Sequence, residues 1–385
     1  MKHDSIKVIM EDCVLIENRI YFFSRDWNAL YTTDLDSNRI TFLGIMPEEN
    51  VLARRLCAGI IYNRNREELI LIPMTAKKIW IYDLKTAQWK GLERKYMTDG
   101  DFHKEIFRAA EYKNNLFLIG SNYPAIIRMN IDTYELDYLT EPYTFLKPLK
   151  NGIEGYFRSD FCLKENQLLL ASCLNNYVLK IDLNTFDFEW HEVGEYGFCY
   201  SGIAWDGEYY WLSPRTGTPI VKWDGKDKTE YFPLPEEFDS LIYNFLGVQY
   251  VDGKLIFPGM LQNKTLMIDT NTRKQKIEIY EGQYFFYRYS ERQGILSQNV
   301  DGLFQWKYPE QNDSLNLYCE IQLEKLISDL SNENNRVFYP IRENEIQIEV
   351  SPVSLPLYKA LLKRERKIRD KKSKDGVNIW GVIQS

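Results

Sequence analysis

A chain of 385 residues with a formal net charge of −7 and 44% hydrophobic residues has ample material for a core and is a poor match, as a whole, for nucleic acid or an anionic membrane. Aromatic residues make up 15% of it, with 27 Tyr, 20 Phe and 9 Trp, a balance that favours strands over helices. Six dispersed cysteines without a CxxC pair, and three histidines far apart at positions 3, 103 and 191, exclude a dense disulfide scaffold and lend a zinc site no support.

The first stretch, "MKHDSIKVIMEDCVLIENRIYFF", scatters charges through what a secretion segment would need to keep apolar, and no later stretch has eighteen uninterrupted apolar residues. A cytoplasmic protein without a transmembrane segment is the expectation. From "RIYFFS" at Arg19 onward a short apolar run recurs: "ELILIP" at Glu68, "LFLIGS" at Leu116, "QLLLAS" at Gln167, "YYWLSP" at Tyr209, "KLIFPG" at Lys254 and "GILSQ" at Gly294. Each is preceded by a hairpin signal such as "IENR", "KNNL", "WDGE" or "VDGK", where Asn or Asp-Gly is expected to take the positive φ of a tight turn.

Each is followed by a third strand closing at Asp34, Asp83, Asn130, Asp182, Asp224, Asp269 and, in a degenerate last copy, Lys307. The spacing of about 45 residues is that of propeller blades. The acid or amide at these positions is expected to accept a hydrogen bond from the backbone N–H two residues on, supported by Thr86, Thr133, Thr185 and Thr272. One four-stranded sheet cannot bury both of its faces, whereas radially arranged copies pack face to face. The pattern predicts an all-β, seven-bladed β-propeller of four-stranded antiparallel blades, with two stacked all-β domains as the rival reading.

"IWIYDLKTAQW", from Ile79, resembles the third-strand ending of a WD40 blade and the Asp, Thr, Trp pattern of quinoprotein-like blades. The Gly-His pair of WD40 and the Gly-Gly doublet of kelch-like repeats are missing, and Ala87 stands where quinoprotein blades usually carry Gly. The resemblance implies the propeller fold over about residues 12–320 and selects no single family. A propeller over 1–350 is expected, with "VFYPIRENEIQIEV" supplying strands that extend the last blade or help close the ring with "SIKVIM". Residues 351–385 are expected to form a C-terminal helix and tail, the helix docking by Leu357, Leu361, Leu362 and Ile368 with its basic side in solvent.

Function is expected on the face with the long, varied connections. Arg55, Arg108, Arg158, Tyr200 and Arg288 start the innermost strands there, and Arg25, Asn122, Asn175, Arg215 and Gln298 follow the second strands; the aromatics at the inner starts, Phe107, Phe157, Tyr200, Phe286 and Tyr287, read as packing between blades ahead of stacking platforms for a ligand. Arg108, Arg158 and Arg288 are read as matching positions in three blades. Guanidinium pairs well with planar oxyanions, so the expected ligand is an anionic small molecule, a sugar acid or an acidic protein segment. The same arginines would equally pair with Glu105, Glu154 or Asp160 and pin adjacent blades. His103, near Asp99, Asp101 and Glu105, is a solvated loop residue or a general base; His191 is structural; no nucleophile and no cofactor is assigned. The function expected is a binding or protein-interaction propeller. The alternatives are a sugar-acid lyase or isomerase, by analogy of fold alone, and a pure protein scaffold. The basic run from Lys359 to Lys374 lacks aromatic interleaving and reads as a solvated helix face rather than a nucleic-acid grip.

Overall fold

The structure is a computed structural model that describes residues 4–34, 39–95, 106–149, 155–158, 160–238, 244–260, 262–279, 284–290, 294–299, 303–308, 311–316, 318–321, 337–339, 347–364 and 367–368. Its strands form antiparallel meanders in chain order: six four-stranded sheets, and one sheet of six strands that contains the first meander. The second to sixth meanders begin with strands at Cys57–Asn63, Ile106–Tyr112, Cys162–Lys164, Tyr200–Trp205 and Gln249–Val251. The third strands end at Asp34, Asp83, Asn130, Asp182 and Asp269 as the repeat predicts, and at Trp223, one residue before Asp224, in the fifth sheet.

The turns after the third strands follow the expected chemistry. Asp83 Oδ1 accepts from the N–H groups of Lys85 (2.8 Å) and Thr86 (2.9 Å), Asp182 Oδ1 from Asn184 (2.8 Å), and Asp269 Oδ1 from Thr272 (2.7 Å). Those backbone donors hold the carboxyls of Asp83, Asp224 and Asp269 below the ordinary value of 3.8. Their support is therefore complete above that pH and is lost as the pH falls through the lowered values. The residue after the threonine is left-handed in four sheets: Ala87 at φ 56°, Tyr134 at 64°, Phe186 at 69° and Arg273 at 59°. That conformation explains why glycine is usual at the place of Ala87. Replacing Asp182 with Ala should cost about 0.5–2 kcal/mol in urea denaturation, the scale of a lost capping oxygen.

The hairpins between first and second strands depart from expectation where the turn carries asparagine. Positive φ falls on Glu17 (54°), Lys113 (53°) and Glu165 (55°), the residues before the asparagines, whereas the Asp-Gly turns take it as expected, "WDGE" on Gly207 (105°) and "VDGK" on Asp252 (48°) and Gly253 (77°). The asparagines serve another purpose. Asn114 Nδ2 donates to Asp132 (2.9 Å) and Asn166 Nδ2 to Asp182 (2.7 Å), tying each first hairpin to the neighbouring turn of its own sheet.

Two compact units divide the chain: Met1–Arg54, Gly302–Phe304 and Ser314–Ser385, and Arg55–Asp301 with Gln305–Asp313. In the second, the core lies between successive sheets. Ile70, Ile72 and Ile81 of the second sheet meet Leu116, Leu118 and Ile127 of the third; Phe117 and Ile119 meet Leu168 and Leu179 of the fourth. Leu169 and Val178 then meet Ile203 and Leu212 of the fifth, and Trp211 and Ile220 meet Leu255 and Leu266 of the sixth. Alternate residues of one strand, such as Phe117 and Leu118, thus serve opposite neighbours, and for that reason these strands read as continuous apolar runs.

In the first unit, Gln347–Val350 runs parallel to Arg39–Gly44, with Ile348 opposite Ile40, and Val337–Tyr339 pairs outside it. The strands of "VFYPIRENEIQIEV" therefore extend the first sheet rather than the last, while Asp4–Lys7 pairs with Tyr318–Ile321. The parallel pairing brings in a buried apolar edge: Ile348 and Val350 are fully buried. A helix follows at 355–364. Leu357, Tyr358, Leu361 and Leu362 are buried on it while Lys359, Lys363 and Lys367 are exposed; Ile368, expected on the docking face, is 42% exposed. Trp27 Nε1 donates to the Tyr31 hydroxyl (2.8 Å), which lies 3.3 Å from the Tyr358 hydroxyl, and Arg364 donates to the Asp26 carbonyl (2.8 Å).

Candidate functional site

The residues that lead into the inner strands of the second unit are held by a relay of backbone hydrogen bonds from sheet to sheet. Tyr156 N–H donates to Ser121 O (2.7 Å), Tyr200 N–H to Ser172 O (2.9 Å) and Asn244 N–H to Arg215 O (3.3 Å), each joining an incoming inner strand to the second-strand end of the preceding sheet. Within each sheet the relay continues: Tyr156 O accepts from Cys173 N–H (2.9 Å), Cys199 O from Arg215 N–H (3.0 Å) and Asn244 O from Met260 N–H (3.0 Å). Since these links satisfy backbone groups outside the ladders, the side chains at the two levels are placed by rigid scaffold.

The strand register overturns the alignment of the three arginines. The first pairs of the third, fourth and seventh sheets are Ile106 with Gly120, Phe157 with Ser172 and Tyr284 with Asn299. Counted from these, Arg108 stands two residues on, Arg158 one residue on and Arg288 four residues on, so they occupy different positions. A one-residue offset in a strand turns a side chain to the other face, and the bulge between Ile106 and Arg108 adds a further shift. Arg158 lies over the ring of Phe107 on the adjoining sheet, 6.0 Å from its centroid. Arg288 is placed here by its backbone, paired with Leu296. Arg55 precedes its strand at φ 57°, half-buried, its carbonyl accepting from Thr75 Oγ1 (3.0 Å).

Tyr200, expected at the open end, is fully buried between the fourth and fifth sheets, where its hydroxyl donates to Val193 O (2.5 Å). Burial pushes that hydroxyl's pKa well up. Its role is packing, because the aromatic ring fills the wedge between two sheets. At the second-strand ends, Arg25 and Arg215 do share a register position, each following the residue paired with the first of the inner strand, Ser24 with Met10 and Pro214 with Tyr200. Arg25 forms an ion pair with Glu11 (3.2 Å). Arg215 and Asn122 are each 5% exposed, and Asn175 is half-buried, its Oδ1 accepting from Tyr177 N–H (3.3 Å) while its buried Nδ2 has no partner among the described residues. Gln298 is fully buried.

Two residues of this region escaped sequence reasoning. Asn244 is 1% exposed, and neither its Nδ2 nor its Oδ1 makes a hydrogen bond to a described residue. Nothing marks it in "LIYNFLGV", where its apolar neighbours dominate. Asp160 was read only as a neutralising partner, yet its side chain presses on the backbone of two later sheets. A Cβ on Gly202 would come within 2.8 Å of Asp160 Cβ, and one on Gly247 would overlap its carboxylate. Glycine is therefore required twice, each time two residues after an aromatic, in "YSG" and "FLG"; that recurrence was a legible signal. The inner-strand starts thus present a carboxylate as well as arginines.

His191 lies 5.2 Å from the ring of Trp223 and its Nε2 is 3.2 Å from Glu189 Oε1, an outer-strand packing arrangement. Ser201 Oγ donates to Ser213 Oγ (2.9 Å) in a buried pair. His103 and its acidic neighbours lie outside the described residues. Among the described residues no group of three or more His, Cys, Asp or Glu is placed to hold a metal ion, and no helix is long and apolar enough to cross a membrane.

No protein-family model matches the chain, and no curated protein matches it. Solved structures do. Selenomethionine-substituted virginiamycin B lyase from Staphylococcus aureus superposes with a TM-score of 0.56 at 14% identity, over 77% of this chain and 95% of that one. BamB from Moraxella catarrhalis gives 0.50 at 11% identity over 81% and 89%, and a chain of the mitotic checkpoint complex 0.52 at 10% identity over 78% and 91%. These neighbours are β-propeller proteins, and the four-stranded antiparallel meanders of this chain are propeller blades. At such identities the likeness establishes the fold, a fold that carries a lyase as readily as a component of a protein assembly.

Proposed function

We propose that the chain is a binding propeller that takes a small anionic molecule, such as a sugar acid, or an acidic peptide segment where its inner strands start and its second strands end. The observation that carries this reading is the side chain of Asn244, buried with both amide atoms unmet, on backbone joined to Arg215. A buried polar group left without a partner costs on the order of 1–3 kcal/mol, which a bound carboxylate or hydroxyl would offset. Asn122, Asn175 and Arg215 supply further polar ends on the same level, and Arg108 and Arg158 supply positive charge at the inner-strand starts. A second reading, an enzyme of the sugar-acid lyase or isomerase type, is favoured by Asp160, a carboxylate among those strands that would serve as base.

Melting curves with galacturonate, glucuronate and neutral galactose test both readings. The acids should raise the melting temperature and galactose should not. Asn244→Leu should leave the unliganded protein as stable as before, since it removes an unmet amide, and should weaken binding of the acid about tenfold. Turnover of the acid that disappears in Asp160→Asn would establish the enzyme. Absence of any shift with either acid, together with a destabilised Asn244→Leu, would leave the scaffold reading in place.

A further inference from the structure

Beyond the polar residues just described, the fifth sheet and the connection that follows it enclose an open cavity of about 640 Å³ of quite different chemistry. Its lining includes Pro219, Tyr231, Pro233, Leu234 and Phe238, with one carboxylate, Glu236. The outer strand Thr229–Phe232 ends at this place, and "PLPEEF" runs on from it. Prolines there lose little freedom on folding and hold the wall rigid. Phe238 is buried, packed 4.9 Å from Phe245 and covered by Lys264, whose ammonium lies 5.0 Å from its ring and donates to the Glu237 carbonyl. Tyr231 is 40% exposed and braced edge-on by Phe198 at 5.8 Å.

We propose that this cavity is a second ligand site, for a small apolar or aromatic molecule carrying a protonated amine. The volume falls in the range of small-molecule sites, about 300–1,000 Å³, and such sites combine apolar walls with few polar groups. Charge selects the kind of molecule. Glu236 lines the cavity, is exposed and forms no ion pair with a described residue. Its carboxylate is the one formal charge among the lining residues, so a bound carboxylate would meet repulsion and an ammonium would gain a partner. Tyr231 offers a ring for the aromatic body or the cation. The two sites thus want opposite charges, and neither depends on the other.

Phenethylamine and 3-phenylpropionate, matched in shape and opposite in charge, are the probes, titrated into the full chain by calorimetry and ligand-detected NMR. Phenethylamine should bind about tenfold more tightly than phenylpropionate. Glu236→Gln, a change at an exposed side chain, should leave melting unaltered and abolish that preference, while Tyr231→Ala should weaken both probes. Equal affinities for the two probes, no saturable binding of phenethylamine, or a preference that survives Glu236→Gln would overturn the proposal.

Discussion

Removal of residues 351–385 is expected to destabilise the unit built on the first sheet by about 5 kcal/mol or more and to make the protein prone to aggregation. Leu357, Tyr358, Leu361 and Leu362 are each at most 3% exposed, and the loss of a single buried leucine side chain costs about 2–5 kcal/mol. Loss of the helix also strips Tyr31 of its partner hydroxyl and uncovers apolar surface in the same unit. Leu361→Ala separates these effects, because it should cost about 2–5 kcal/mol in chemical denaturation without removing the Tyr31–Tyr358 contact. A truncated protein that stays soluble and melts as before would make the segment an appended tail.

Gly120→Ala is expected to cost about 3 kcal/mol, at the upper end for overpacking. A Cβ there would overlap the carbonyl groups of Tyr123 and Ala125, and the backbone cannot withdraw because Gly120 N–H donates to Ala125 O (3.1 Å). The matching residue of the fourth sheet, Ser172, has room for its side chain, whose Oγ accepts from Leu174 N–H (3.1 Å). Ser172→Ala should therefore cost only about 1 kcal/mol, the ordinary net worth of one hydrogen bond. Equal losses in the two variants, read from urea denaturation, would mean that the loop at 121–125 moves aside at little cost.

The candidate site was legible in part. Arg25 and Arg215 share a structural position, and both were singled out by their place after the second strand. The three inner-strand arginines misaligned because the strands carry irregularities near their first pairs, such as that between Ile106 and Arg108, which shift residue count against geometry. Tyr200 was ambiguous for another reason: an aromatic at an inner-strand start looks the same in sequence whether it faces solvent or the wedge between two sheets, and the packing reading is the one the structure bears out. Asn244 left no trace at all, since an orphaned amide is a property of what surrounds it.

By itself the sequence determined the architecture of the repeat. Turn chemistry at Asp83, Asn130, Asp182 and Asp269 acts over two or three residues, and the continuous apolar strands act over five or six, so both are written locally and recur with every copy. Only the tertiary structure decided which strand joins which distant edge, as Ile348 joins Ile40, and which side chains from different sheets share one space, as Asp160 does with Gly202 and Gly247. Those outcomes depend on long-range pairing and close packing between segments far apart in the chain. No local pattern encodes them, because the energy that selects them exists only once the partners have met.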